Sequence, residues 1–230
     1  MNIECPLSPS CNSLFAQKYS AFPFYQMLSR LQLMKTLLAT LILLIPILAA
    51  AQDEVKVPDE VKPFVEKGMQ AIAVESGDLN GDGTKDYVLV LSKPRVETEQ
   101  FDEAGEANRP TLILIRDASG KLSLAASNDR VAYCRSCGGV FGDPFQGVEI
   151  KGMSFTVSNY GGSSDRWTDD FTFAYSRRDR TWQLTRVEKG AFNVVKNEKL
   201  RTTVYTPPKS FGLINFADFN PEEFKGKGER

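Results

Sequence analysis

Gly77-Asp78-Leu79-Asn80-Gly81-Asp82-Gly83-Thr84-Lys85-Asp86-Tyr87 is the stretch that decides how this chain is read. Oxygen-bearing side chains stand at loop positions 1, 3, 5 and 9, namely Asp78, Asn80, Asp82 and Asp86, and position 6 is Gly83. A hard cation such as calcium takes roughly six to eight oxygens at 2.3–2.6 Å, and the chain must turn sharply to supply them. Glycine at position 6 permits that turn, because it reaches backbone angles closed to other residues. Thr84, at position 7, would lend its backbone carbonyl. Three carboxylates this close repel one another unless a divalent cation lies among them. The spacing therefore predicts a calcium loop. The plainer alternative is a hairpin turn rich in Asn, Asp and Gly that holds no metal.

The residues around the loop set the fold class. An EF-hand carries a bidentate Glu at position 12 and is flanked by helices. Here position 12 is Leu89, and Tyr87-Val88-Leu89-Val90-Leu91 are β-formers bounded by Ser92-Lys93-Pro94. Ala71-Ile72-Ala73-Val74, before the loop, is equally strand-like. A loop of this composition between two strands resembles the calcium loops of FG-GAP and VCBS-type repeats, which occur in β-propellers and many secreted bacterial proteins. The resemblance implies a calcium that staples adjacent strands. The ligand count agrees, since Asp78, Asn80, Asp82, Asp86 and the Thr84 carbonyl leave little room for substrate, whereas a catalytic metal keeps an open position.

Upstream, Met34-Lys35-Thr36 is a short basic start, residues 37–48 are apolar, and Ala49-Ala50-Ala51 precedes the polar Gln52-Asp53-Glu54. That order predicts a secretory signal peptide over 34–51, cleaved before Gln52. The apolar run is shorter than the about 20 residues that a membrane-spanning helix needs, so no stable span is expected after cleavage. Residues 1–33 show no period and are read as a non-native leader or a disordered one. The remaining 52–230 are read as a single β-rich domain in the periplasm or medium. Residues 1–51 hold three of the 28 basic and one of the 29 acidic residues, so the rest carries a net −3. Nothing here is basic enough for nucleic acid. The chain has no histidine, which excludes Ser-His-Asp and Cys-His catalysis and the usual His-containing zinc sites.

Along 52–230 a short helix is expected over 58–69, with Val61, Phe64 and Val65 on one face and Gly68 ending it. Residues 95–110 read as a long polar loop. Thr111-Leu112-Ile113-Leu114-Ile115-Arg116 reads as a buried strand, turning at Asp117-Ala118-Ser119-Gly120 into a hairpin with Lys121-Leu122-Ser123-Leu124. Four further strands are expected over 147–150, 154–158, 171–175 and 181–187, most of them alternating apolar and polar as a sheet with one wet face requires. Two more are expected within 193–206, and the aromatic run 211–219 is expected to pack on the sheet. The fold class is thus all-β with minor helix. It is an antiparallel meander, either a propeller-like curved sheet or a two-sheet sandwich.

Three constellations could carry chemistry. Cys134-Arg135-Ser136-Cys137 is a C-x-x-C pair, read in an exported chain as a disulfide. The redox alternative needs a helix after the first cysteine, and Gly138-Gly139-Val140-Phe141-Gly142-Asp143-Pro144 cannot form one. That glycine-rich stretch is one candidate ligand loop, with Asp143 at its end. The second is Asn159-Tyr160-Gly161-Gly162-Ser163-Ser164-Asp165-Arg166-Trp167, since Arg and Trp are enriched at binding hot spots. The competing reading packs Trp167 into the core and pairs Arg166 with Asp165 or Asp169.

The order of calcium loop, CGGVFGDPF, NYGGSSDRW and FTFAYSRRDRTWQL resembles a family of small exported bacterial proteins of unknown function, over residues 71–187. The resemblance implies export and adds no catalytic residue. The leading functional expectation is a calcium-stabilised, non-catalytic module. It would bind a glycan, a peptide or an envelope protein through Asp143, Asp165, Arg166 and Trp167. The alternatives are a hydrolase using carboxylates such as Asp143, Asp165, Asp169 or Asp170, and a thiol–disulfide protein using Cys134 and Cys137.

Overall fold

The structure is a computed structural model and describes residues 55–94 and 109–228. Residues 1–51, read above as a leader and a signal peptide, and nearly all of the polar 95–110 stretch lie outside the described residues. Two antiparallel sheets account for the rest. One is a meander of β1 (Gln70–Gly77), β2 (Asp86–Ser92), β3 (Arg109–Arg116) and β4 (Leu122–Ala132). The other is a meander of β5 (Phe145–Lys151), β6 (Ser154–Gly162), β7 (Asp165–Ser176), β8 (Thr181–Asn193) and β9 (Arg201–Tyr205). The all-β expectation holds, and of the two architectures left open the sandwich is present.

The unbroken apolar run of β2 has a physical cause. All seven of its residues are buried, because both faces of the first sheet are covered. Val88 and Val90 point toward the second sheet, where they join Ile113, Phe155, Val157, Phe171 and Phe173 in the main core. Tyr87, Leu89 and Leu91 point the other way, onto Leu112, Leu114 and Val61. The period of two is intact, but it separates one apolar face from another. The second sheet has a single covered face: β6 alternates buried and half-buried along its length, with Phe155, Val157 and Asn159 inward.

The C-terminal aromatic run closes the main core as expected. Phe216 meets Phe155 and Phe173 edge-on at 5.4 and 5.0 Å, and Phe219 meets Phe171 at 5.1 Å. Asn128, buried on β4, donates through Nδ2 to the carbonyls of Phe216 and Phe219 at 2.6 and 2.8 Å. That buried amide ties the segment to the first sheet and leaves none of its own donors orphaned.

Several sequence expectations are corrected. Residues 58–69 form no α-helix but a single 3-10 turn, Lys62–Phe64. Pro63 lacks the N–H that a helix interior needs, and the segment lies flat over the outer face of the first sheet, with Val61 fully buried. The glycine-rich run 159–167 is mostly strand: Gly161 pairs with Trp167 and Gly162 with Arg166, so only Ser163 and Ser164 make the turn. β4 and β8 extend well past their expected ends, and 193–206 holds one strand where two were expected. Glycine and polar residues at strand ends signalled loops, and cross-strand pairing in a twelve-residue partner overrode them.

Candidate functional site

The Asp-rich loop joins β1 to β2 and is anchored to the opposite sheet. Leu79 is fully buried in the main core, and its carbonyl accepts the Trp182 Nε1–H at 3.2 Å. Asp86 is fully buried as well. Its Oδ2 accepts the Leu79 N–H and its Oδ1 the Arg116 N–H, each at 2.9 Å. Burial pushes the Asp86 carboxyl above its ordinary range, the charges of Asp82 and Asp78 add to the shift, and the two N–H donors oppose it. Asp78 accepts the N–H groups of Gly81, Asp82 and Gly83 at 2.7–3.1 Å. Asp82 accepts the hydroxyl and N–H of Thr84 and an Asn80 amide proton. The Thr84 and Asn80 contacts hold its carboxyl below the usual range. Gly81 and Gly83 take φ of +77° and +87°, the left-handed region that glycine alone enters freely.

Among the described residues no three His, Cys, Asp or Glu side chains stand close enough to hold a metal as they are. The donor set itself suits a hard cation, being carboxylates and an amide with no nitrogen or sulfur ligand. Asp78 Oδ1 and Asp82 Oδ1 each accept two donors, but Asp78 Oδ2, Asp82 Oδ2 and both Asp86 oxygens accept one each and keep a second lone pair for a cation.

The other features singled out by sequence gather at the opposite end of the second sheet, where β5, β7 and β9 begin and β6 and β8 end. Cys134 and Cys137 are joined in a disulfide, with Cα atoms 5.1 Å apart. The cysteines bracket a turn, with no helix after Cys134. The loop that follows packs on the β6–β7 hairpin. The Gly162 N–H donates to the Gly138 carbonyl at 2.9 Å and the Tyr160 N–H to the Pro144 carbonyl at 2.8 Å. A Cβ on Gly161 would lie 2.8 Å from the Gly138 Cα and 2.5 Å from the Trp167 ring, so the two glycine-rich stretches approach to a distance only glycine allows. On the other flank, the Val194 N–H donates to the Ser164 carbonyl at 2.9 Å.

The four candidate ligand residues divide here. Asp143 turns inward and forks onto Arg109: Nη1 donates to Oδ1 and Nη2 to Oδ2, each at 2.6 Å, and Arg109 is 1% exposed. Asp165 accepts from Asn193 Nδ2 at 2.6 Å. Trp167 packs its ring against Tyr133 at 5.7 Å. Arg166 meets neither Asp165 nor Asp169. Its guanidinium lies 3.6 Å over the Phe141 ring, Nη1 donates to the Tyr160 hydroxyl at 2.9 Å, and Nε is buried with no acceptor. Asp169 accepts the Tyr133 hydroxyl at 2.7 Å and lies 3.3 Å from Lys189 Nζ. Burial and the Asp169 charge push the Tyr133 phenol well up. Asp170, on the opposite face of β7, pairs across strands with Glu188, and burial pushes its carboxyl upward.

Sequence reasoning missed Arg109, and it quoted the stretches that hold Phe141, Asn159 and Tyr160 without giving those three side chains a role. Arg109 sits in a polar run and reads as exposed. Asn159, 1% exposed, bridges the sheets by accepting the Tyr133 N–H and donating to the Val131 carbonyl, each at 3.0 Å. Its inward position follows from the alternation of β6, and that was the only available signal.

Among the described residues no helix is long and apolar enough to cross a membrane. The chain matches no protein-family model. No curated protein is similar to it. Among solved structures it is similar to a Xanthomonas type IV secretion system related protein, at 14% identity and a TM-score of 0.35. The match covers 62% of this chain and 57% of that one, a likeness too remote to carry fold or function.

Proposed function

We propose that this chain is an exported recognition module of the cell envelope. The disulfide-bearing loop end of its sandwich is the binding surface, and an FG-GAP-like calcium loop staples the other end. One observation carries the reading. Seven large apolar side chains are exposed among the described residues, and five of them, Val140, Phe141, Val194, Val195 and Leu200, lie in the loops at this one end. Scattered apolar residues need no explanation, whereas a gathered set marks an interaction surface. The disulfide and the glycine contacts hold the loop that carries Val140 and Phe141, and the Val194–Ser164 and Asn193–Asp165 hydrogen bonds hold the one that carries Val194 and Val195, before any partner arrives, which lowers the ordering cost of binding. The disulfide also suits an oxidising compartment outside the cytoplasm.

The test is capture from an envelope extract by the chain starting at Gln52, with and without calcium, alongside a Phe141→Ser/Val195→Ser variant. A partner held by the parent chain and lost by the variant supports the reading. A partner retained equally by both removes the loop end from it.

The calcium part has its own test. A ligand that binds only the folded chain stabilises it by about 2.7 kcal/mol at a hundredfold excess over Kd. For a domain of this size that is about 5–10 °C in melting temperature. Sites in extracellular modules bind at about 10⁻⁴–10⁻³ M, so calcium at about 1 mM is roughly one- to tenfold over Kd and is expected to raise the melting temperature by about 1–6 °C. EDTA is expected to lower the melting temperature, and Asp82→Ala to abolish the calcium dependence while leaving a folded protein. Identical melting curves in EDTA and in millimolar calcium would reduce the motif to an Asp- and Gly-rich turn.

A further inference from the structure

Arg109, Arg116, Arg178, Arg186 and Arg201 each meet a carboxylate. Arg166 meets none, although its guanidinium is fixed by stacking on Phe141 and by its bond to Tyr160. Its Nε–H is buried without an acceptor, and a buried donor left unpaired carries a real cost in the free protein. Of the described acids of this end, Asp143 is engaged with Arg109, Asp165 with Asn193 and Glu198 with Arg201. The exposed Lys196 and Lys199, by contrast, take part in none of the ion pairs among the described residues. Among the described residues, this end therefore presents positive charge without its complement, set among exposed apolar side chains.

We infer that the partner of the loop end is a protein segment whose apolar contact surface carries a carboxylate, and that this carboxylate forks onto the Nε and Nη2 edge of Arg166. The inference rests on the recognition reading above and names the partner's chemistry. A guanidinium offers two parallel donors that match a carboxylate in plane. Stacking on Phe141 and the Tyr160 bond fix that plane and leave Nε and Nη2 as the donors without a protein acceptor. A local shift on docking uncovers Nε, so the buried donor gains its acceptor only in the complex, and the stacked Phe141 ring becomes part of the contact. Aromatic residues and arginine are the types enriched at protein interfaces. A lipid phosphate also accepts a planar fork, so the choice of a protein rests on the exposed aromatic and apolar side chains around the arginine, and vesicles are the competing arm of the test.

The test follows the arginine Nε–H and backbone amide signals of the isotope-labelled chain from Gln52, a portion that contains both hydrophobic clusters entire. The probes are an acetylated, amidated pentapeptide with a glutamate between leucines and phenylalanines, and its glutamine counterpart. The glutamate peptide at millimolar concentration is expected to shift the Arg166 Nε–H and the amides of 138–142 and 193–200. It should bind roughly tenfold tighter than the glutamine peptide. Arg166→Lys, which keeps the charge and loses the fork, should bring the two peptides close together, with amide signals elsewhere showing an intact fold. Equal binding of both peptides by the parent chain, or no shift at millimolar glutamate peptide, would overturn the inference. So would shifts of the same signals by phosphatidylglycerol vesicles alone, which would assign the surface to a membrane. If the peptides fail while the Phe141→Ser/Val195→Ser variant still loses its envelope partner, only the carboxylate is lost and the recognition reading stands.

Discussion

Asp143→Ala is expected to destabilise the protein by about 3 kcal/mol, because it strands a guanidinium inside the sandwich. Arg109 is 1% exposed and both of its terminal nitrogens donate to Asp143. Breaking a buried ion pair from one side costs about 3–5 kcal/mol, since the remaining charge has lost both partner and water. The Asp143 side chain is 45% exposed, so water can reach part of the vacated space, and the lower end of that range applies. In melting temperature this is about 6–12 °C for a domain of this size. The double variant Arg109→Met/Asp143→Ala should recover most of the loss, because no charge is left unpaired. Asp143 also accepts the Phe145 N–H and so sets where the glycine-rich loop enters β5. The single variant should therefore weaken partner capture as well. An Asp143→Ala protein that melts with the parent chain would show that the pair does not hold Arg109 in the folded state.

The second large effect belongs to Phe173→Ala. Phe173 is fully buried, stacked on Phe155 at 5.4 Å, and edge-on to Phe216 and Phe219 at 5.0 and 5.7 Å. Truncating a buried phenylalanine costs about 3–5 kcal/mol, from lost transfer energy and from the cavity left behind. A value near 4 kcal/mol is expected in urea unfolding, with an unchanged slope if the native state stays compact. The cavity opens directly beneath the C-terminal strap. Residues 211–219 should therefore lose hydrogen-exchange protection before the strands do, and become the first site of limited proteolysis. A strap that stays as protected as β7 in the variant would mean that Asn128, and not the aromatic cluster, holds it in place.

What the sequence alone determined here is local. Ligand-type residues spaced within nine positions, a glycine at the turn and β-formers on both sides are enough to place a strand, an Asp-rich loop and a strand over residues 70–92, because each interaction in that unit spans a few residues. The alternation of β6 and β7 likewise shows which side chains face inward, since the pleat has a period of two. The C-x-x-C disulfide is legible for the same reason of short range. Tertiary structure decided everything that depends on what a face meets. The apolar run of β2 reads as buried, but that it separates two cores depends on residues 57–69 lying flat over it. Arg109 lies 34 positions from Asp143 and Asn159 lies 26 from Tyr133, and no periodicity links such pairs. The stretch 159–167 looked like a loop because glycine carries a weak β-propensity. Pairing with β7, and the close approach of Gly138 that only glycine permits, made it strand. Arg166 has the composition of a hot spot in the sequence. That it lies stacked on Phe141 with an unpaired Nε, and apart from the aspartates beside it in the chain, is a consequence of which loops the sandwich brings to one end.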